Sequence, residues 1–314
     1  MLNRRQIRIK ILQVLFAYYS DEKPDPVLYE KMLNESFERF RDLYLMMLVL
    51  ITEMQSLAIE KIEAGRNKKL PTKEDLHPNT RFVTNAVLRI LANSKTLEKA
   101  AKDALVSWSD NPDLLRQIFK MLLETDDYKE YMATKERSFN LDKEYLLRFF
   151  RRHLVNFELM TDYLEEKNIY WVDDLDLVAS MVLKTVKGIH EEDDDITLLP
   201  LWNEENGDHE FMLRLYRQTL AMGAENQDMI GAVAPNWDTE RIALMDLVLM
   251  KMALAEARSF ESIPVKVTLN EYLELSRYYS TDKSNVFING VLDQLFSDMH
   301  ENGKIKKVGR GLIQ

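Results

Sequence analysis

NWDTERIALMDLVLMKMALAEA (Asn236–Ala257), SIPVKVTLNEYLELSRYYS (Ser262–Ser280) and TDKSNVFINGVLDQL (Thr281–Leu295) follow one another with only a short break. The spacing predicts a first helix from Thr239 to Ala257. It is apolar nearly all the way round, with Ile242, Leu244, Met245, Leu247, Val248, Leu249, Met252 and Leu254. Such a helix is buried, or has a partner on its last face. Asp246, read as a mid-helix acid, then needs a counter-group, because an unpaired carboxylate in apolar surroundings is costly. Pro264 suits the first turn of a second helix, where its missing N–H has no partner to lose. Leu269, Tyr272 and Leu273 recur there at helical spacing. A third helix, capped by Asp282 or Ser284, carries Phe287, Val291, Leu292, Leu295 and Phe296. Gly290 in its middle costs about 1 kcal/mol relative to alanine, which implies that another group packs close against it.

The rest of the chain supports the same class. Only 9 glycines and 8 prolines interrupt 314 residues, 30% of which are charged, and an all-α protein is expected. With no cysteine, disulfide frameworks, thiolate metal sites and cysteine nucleophiles are excluded. No run of 18 apolar residues and no signal-peptide pattern is present, so a cytoplasmic, non-membrane protein is expected. The formal net charge is −10, which repels phosphate over most of the surface. Any nucleic-acid site must therefore be a local basic patch.

Residues 3–19, NRRQIRIKILQVLFAYY, predict an amphipathic helix capped by Asn3. Arg4, Arg5, Arg8 and Lys10 crowd its first turns against the macrodipole. The bland reading is a solvated basic face; the sharper one is arginine forks on phosphate oxygens. DEKPDP (Asp21–Pro26) breaks the chain, and residues 21–208 then read as a string of helices. One is long, from Val27 to Ala64, and a polar connector follows at Gly65–Asn79. Further helical stretches run from Thr80 to Trp108 (one helix or a pair), from Asn111 to near Lys135, from Asp142 to Glu166, and from Leu175 to Gly188. HEEDDD (His190–Asp195) lacks the alternating ligands and central glycine of a calcium loop and reads as a solvated acidic connector. The chain ends ENGKIKKVGRGLIQ, expected to be a flexible basic tail over 301–314. Its Lys304, Lys306, Lys307 and Arg310 are either solubilising charge or a segment that orders on RNA.

The wording NW…ERIA…D, IPVKVTLNEYLELSRYYS and SNVFINGVLD, with the opening RRQIRIKILQVLFAYY, resembles the NusB family of transcription antitermination factors. The likeness covers about 110 to 130 residues, and the FINGVLD and VKVTLNE segments are fairly specific. It implies a division into a family first helix (1–20), a helical insertion or extended N-terminal subdomain (21–208), a NusB-like core (209–300) and the tail (301–314). It implies an all-helical fold and a protein that binds boxA-type RNA with NusE, a small-subunit ribosomal protein, in the transcription elongation complex. Self-association of the free protein through the partner surface is a further possibility the family raises. By the same resemblance Arg4, Arg5 and Arg8 neutralise phosphates, whereas Lys10 falls on no family arginine. Lys283, Ser284 and Asn285 reach backbone or base edges, with Lys283 standing where some relatives carry an acid. Phe287 stacks on an unpaired base, or else belongs to the core. Asp246 and, more weakly, Glu256 face NusE, while Asn270 and Glu271 brace helix packing.

Catalytic chemistry finds no foothold. The five histidines show no HExxH or i,i+4 pairing, and there is no GxxxxGK[ST], GxGxxG after a strand, or GxSxG. Some proteins join a NusB-like domain to an RNA methyltransferase, but residues 21–208 contain no glycine-rich cofactor loop. A non-enzyme without cofactor or metal is expected. The alternative to an RNA-binding factor is a helical protein-interaction scaffold that keeps the fold without boxA binding.

Overall fold

A computed structural model describes residues 2–171, 173–233 and 242–312, and among them all regular structure is helical. In chain order the helices are α1 (Arg4–Ser20), α2 (Pro26–Arg66), α3 (Lys73–Leu76), α4 (Ala86–Ala92) and α5 (Lys95–Asp103). Next come α6 (Pro112–Glu124), α7 (Asp126–Ala133), α8 (Phe139–Phe149), α9 (Glu158–Lys167) and α10 (Leu175–Lys187). The last are α11 (Asp208–Ala221), α12 (Gly223–Val233), α13 (Leu244–Ser259), α14 (Val265–Tyr279) and α15 (Asp282–Glu301). Asn236, Trp237, Glu240, Arg241 and the expected helix start at Thr239 lie outside the described residues. The chain divides into two compact units, one of residues 1–36 with 201–314 and one of residues 37–200, so α2 runs from one into the other.

The first unit is built around α13, which packs against α1, α11, α12, α14 and α15. Every residue from Val248 to Ala257 is buried, as an apolar circumference requires. Three charged side chains on this helix are nonetheless buried, and each has a partner. Glu256 receives Arg8. Lys251 donates to Gln227 Oε1 at 2.9 Å and lies over the Tyr19 ring. Asp246 accepts the Ser280 hydroxyl. Because α13 begins at Leu244 with Ala243 at its cap, Asp246 sits in the first turn and not in mid-helix. There the positive end of the helix dipole also favours a carboxylate.

The other helix starts follow cap chemistry. Asn3 and Gln6 form a reciprocal capping box on α1. Pro264 stands at the cap of α14, one residue ahead of the helix. The cap of α15 is Thr281, whose Oγ1 accepts the Ser284 N–H at 3.2 Å, and neither Asp282 nor Ser284 fills that role. Nothing packs against Gly290, which is exposed and would meet no atom within 4 Å of an added Cβ. The expectation of a close approach there is overturned. Gly290→Ala should therefore raise stability by about 0.5–1 kcal/mol, from restored helix propensity and a less flexible unfolded chain. A urea midpoint equal to or below wild type would contradict this.

The terminal segment also departs from expectation. Lys307 donates to Phe260 O at 2.9 Å, and the Val308 N–H to Glu261 O at 3.0 Å. Ile305 is buried, and Lys304 lies 3.5 Å from Glu225. A Cβ on Gly311 would sit 1.9 Å from Glu261 O. Residues 304–312 are thus docked on the turn after α13 and are not a free tail, because the glycine lets backbone approach backbone.

In the second unit α2 is the spine. Its most apolar 18-residue window, mean hydropathy 1.5, is long and apolar enough to cross a membrane, yet 61% of it is buried within the protein, the pattern of a core helix. Two indoles are pinned to its backbone, Trp108 on Met46 O at 2.9 Å and Trp171 on Arg39 O at 2.7 Å. Tyr44 meets Thr185 of α10 at 2.6 Å. Residues 80–108 hold a pair of helices, and the run after Asn111, expected as one helix, is broken where a side chain caps a new one. Ser94 caps α5 and Thr125 caps α7. The acidic connector helps, since Asp195 accepts from Ser94 and from the N–H and hydroxyl of Thr96. α8 ends in a π-turn, Phe150–Leu154, that packs against α10.

Candidate nucleic-acid interface

The arginines of α1 have three different fates, decided by where each points round the helix. Arg8 faces inward, is 3% exposed, and forms a fork on Glu256 (Nε–Oε2 2.7 Å, Nη2–Oε1 2.8 Å). Thr268 and Tyr272 complete the carboxylate's shell at 2.9 and 3.2 Å. Burial pulls the Arg8 guanidinium down, but the charge and hydrogen bonds of Glu256 prevail and hold it above its ordinary value. Burial beside that carboxylate pushes the Tyr272 hydroxyl well up. The expectation that Arg8 meets phosphate and Glu256 meets a partner protein is corrected: each is the other's counter-charge, and neither reaches the surface. Lys10 is buried as well.

Arg5 lies at the surface, forked on Glu271 of α14 (Nε–Oε2 2.9 Å, Nη2–Oε1 2.8 Å). Arg4 donates to Asn206 O at 2.9 Å, approaches Asp208 to 3.5 Å, and covers the Phe211 ring at 4.7 Å. Together with Asn3, Ile263, Pro264 and Val267 they border an open groove of about 560 Å³. Glu271 braces α1 against α14, as expected of it, and Asn270 is exposed. Hydrogen bonds from Arg5 hold the Glu271 carboxyl below the usual glutamate range. A carboxyl so depressed in the folded state contributes stability that is present above its unfolded value of about 4.3 and lost as pH falls through its folded value. Arg5→Ala should move the Glu271 midpoint upward in a carboxyl NMR titration, and an unmoved midpoint would show that the fork does not form in solution.

At the start of α15, Lys283 is exposed and Ser284 is half-buried in the cap. Phe287 is half-buried with a partner of its own, so its ring is neither wholly core nor wholly surface. Asn285 donates to Leu273 O at 2.8 Å and to Ser276 Oγ, which fastens α15 to α14 and occupies its amide. Asp246 is 4% exposed and engaged by Ser280. Arg5 of α1 and Asn285 at the tip of α15 therefore dock on the same helix. Glu271 and Ser276 are about 140° apart round it, by 100° per residue, so the two sets lie on different sides of α14. Sequence reading missed Asp208 as the acid near Arg4. Its one signal was its place in the first turn of α11, where acids are favoured.

These features define an all-helical domain in which one buried helix carries ion-paired neighbours and a basic first helix borders an open groove. Residues 176–297 match the NusB family. A transcription antitermination protein NusB of Salinibacter ruber is 37% identical over 139 residues, which span 42% of this chain and 86% of the relative. The chain belongs to the NusB family. Relatives of the same name from Chloroherpeton thalassium and Natranaerobius thermophilus are each 35% identical, over 104 and 74 residues. These matches cover 33% and 24% of this chain and 49% and 53% of the relatives. No solved structure matches significantly. The family match begins within α10, ahead of the 209–300 stretch in which the likeness was read.

Proposed function

We propose that this protein is an RNA-binding transcription antitermination factor that acts on boxA-type RNA with NusE in the transcription elongation complex, in the cytoplasm and without catalytic chemistry of its own. The observation that carries this reading is the match over 86% of a relative named for antitermination, beside a family match over residues 176–297 that includes Lys283. In this reading Arg4, Arg5 and Lys283 meet phosphates and Ser284 lies beside them. The half-buried Phe287 stacks on an unpaired base, a contact worth roughly 1–3 kcal/mol. Arg8, Glu256 and Asn285 hold the scaffold. RNA must draw Arg5 away from Glu271, which costs little because surface ion pairs contribute about 0–1 kcal/mol, whereas moving Arg4 takes a cation from the buried Asp208 carboxylate and costs more. That same pairing favours the second reading, a protein-interaction scaffold without boxA binding.

RNA binding measured with and without NusE, at two salt concentrations, separates the two. NusE should tighten binding to boxA-like RNA. Arg4→Ala/Arg5→Ala should lower both affinity and salt slope, by about 0.7 in the slope per lost phosphate. Equal binding of boxA-like and unrelated RNA, with a variant that behaves as wild type, would leave only the scaffold.

A further inference from the structure

The second unit carries a cationic groove between the π-turn and α10. Arg151 stands on one side of it, with Lys184 and Lys187 on the other, over a floor that includes Ala179 and Leu183. Arg151, Lys184 and Lys187 are exposed, and no carboxylate lies within salt-bridge distance of any of them among the described residues. The one acid that lines the groove is Asp176, two turns before Lys184 on α10. This contrasts with α1, where Arg4, Arg5 and Arg8 all have carboxylate neighbours. It also contrasts with the flanking arginines of the same segment. Arg148 and Arg152 both approach Asp127, at 3.8 and 3.4 Å, while Arg151 points away into the groove. In a chain of net charge −10, three unneutralised cations facing one depression are not the average surface.

Lysines in the last turn of a helix complement its dipole, which accounts for Lys184 and Lys187 singly. It does not account for an arginine set opposite them. π-Turns are rare and recur at functional sites. Here the turn holds Arg151 across from the α10 lysines.

We infer that this groove binds the phosphate backbone of a single RNA strand, as a second contact outside the α1 and α15 sites. The inference rests on the RNA-binding reading above. An open groove with exposed cations and no buried donor suits an extended polyanion, whose affinity comes from released counterions, better than a small anion that must be desolvated. Ser180 and Asn156, which also line the groove and are exposed, supply neutral donors for phosphate or sugar oxygens. No base-reading pocket is present in this groove, so the contact adds affinity and length of strand covered without sequence preference.

The test uses the full chain, single-stranded RNA of about 30 nucleotides containing a boxA-like element, fluorescence anisotropy across a salt series, and crosslink mapping by mass spectrometry. Arg151→Ala/Lys184→Ala/Lys187→Ala should weaken binding on the order of tenfold and reduce the salt slope by about 2, at roughly 0.7 per phosphate. Lys184→Arg/Lys187→Arg should keep both. Wild-type crosslinks should include the peptides that carry Arg151 and Lys184. Because the three side chains are exposed and unpaired, the variants should melt with wild type. A triple variant that binds RNA with the wild-type slope, with crosslinks confined to α1 and α15, overturns the groove and leaves the family function intact. No RNA binding by wild type overturns both. Displacement of the RNA from the groove peptides by poly-glutamate at equal charge would assign the groove to an acidic protein surface and overturn the inference.

Discussion

Arg8→Ala should cost about 3–5 kcal/mol, because it strands the Glu256 carboxylate in the core without its hydrogen-bonded cation. Glu256 is 0% exposed and Arg8 3%. The lost pair is a fork with both hydrogen bonds under 3 Å. Thr268 and Tyr272 would still donate to the carboxylate, but two neutral donors do not replace a cation. Glu256→Ala should be as severe, since it leaves the guanidinium with only the more distant Glu271, 3.5 Å from Nη1. The double variant Arg8→Met/Glu256→Leu should lie closer to wild type than either single change, because an apolar pair of similar volume removes the desolvation cost together with the attraction. Urea unfolding, with hydrogen exchange at α1 and α13 to localise the loss, measures all three. A single-variant loss below about 1 kcal/mol would mean that the pair is solvated in solution.

Asn85→Ala should cost about 2–4 kcal/mol, combining a lost helix cap with buried groups left unpaired. Its side-chain oxygen accepts the Val87 and Leu88 N–H groups that open α4, at 2.9 and 3.0 Å. Its amide donates to Tyr131 Oη and Asp142 O, both at 3.1 Å. The residue is 0% exposed, so water does not take over these bonds without opening the core. Asp142 continues the network, accepting from Tyr131 at 2.7 Å and from the Ala86 N–H at 2.8 Å. Burial pushes the Tyr131 hydroxyl up and the Asp142 carboxylate adds to it, so Tyr131 remains a donor throughout the neutral range. Asn85→Asp keeps the cap oxygen but loses the amide donors and adds a charge beside Asp142. It should be no better than alanine. Amide exchange at Val87 and Leu88 reads the cap directly. Protection unchanged from wild type in Asn85→Ala would show that the helix start does not depend on this side chain.

Much of the fold was legible because it rests on local rules. The 3.6-residue period marked α13, α14 and α15 and the long α2, and the near-continuous apolar surface of α13 announced a fully buried helix. Breaks were less legible. The stretch after Asn111 reads as one helix until Thr125 uses its side chain to cap a new one, and propensity alone does not separate a mid-helix threonine from a cap. Gly290 misled for a related reason: glycine in a helix implies a close neighbour only on average, and here its surroundings are open solvent.

The basic first helix shows where reading in one dimension stops. Arg4, Arg5 and Arg8 are alike in sequence, and composition gives each the same claim on a phosphate. Helical geometry sends Arg8 inward to Glu256, 248 residues on, and Arg5 outward to Glu271, 266 residues on. Asp246 and Glu256 likewise shared one reading, yet their neighbours, Ser280 and the Arg8 fork, come from other helices.

By itself, then, the sequence determined the class of the fold, the buried central helix and the family, since periodicity, composition and motif wording are properties of neighbouring residues. Only the tertiary structure decided which cations are spent inside the protein and which remain at its surface, and it alone set Arg151 opposite Lys184 and Lys187. The availability of Arg4, Arg5 and Arg8 depends on the charge that folding brings within 4 Å of each, and that charge comes from helices far along the chain.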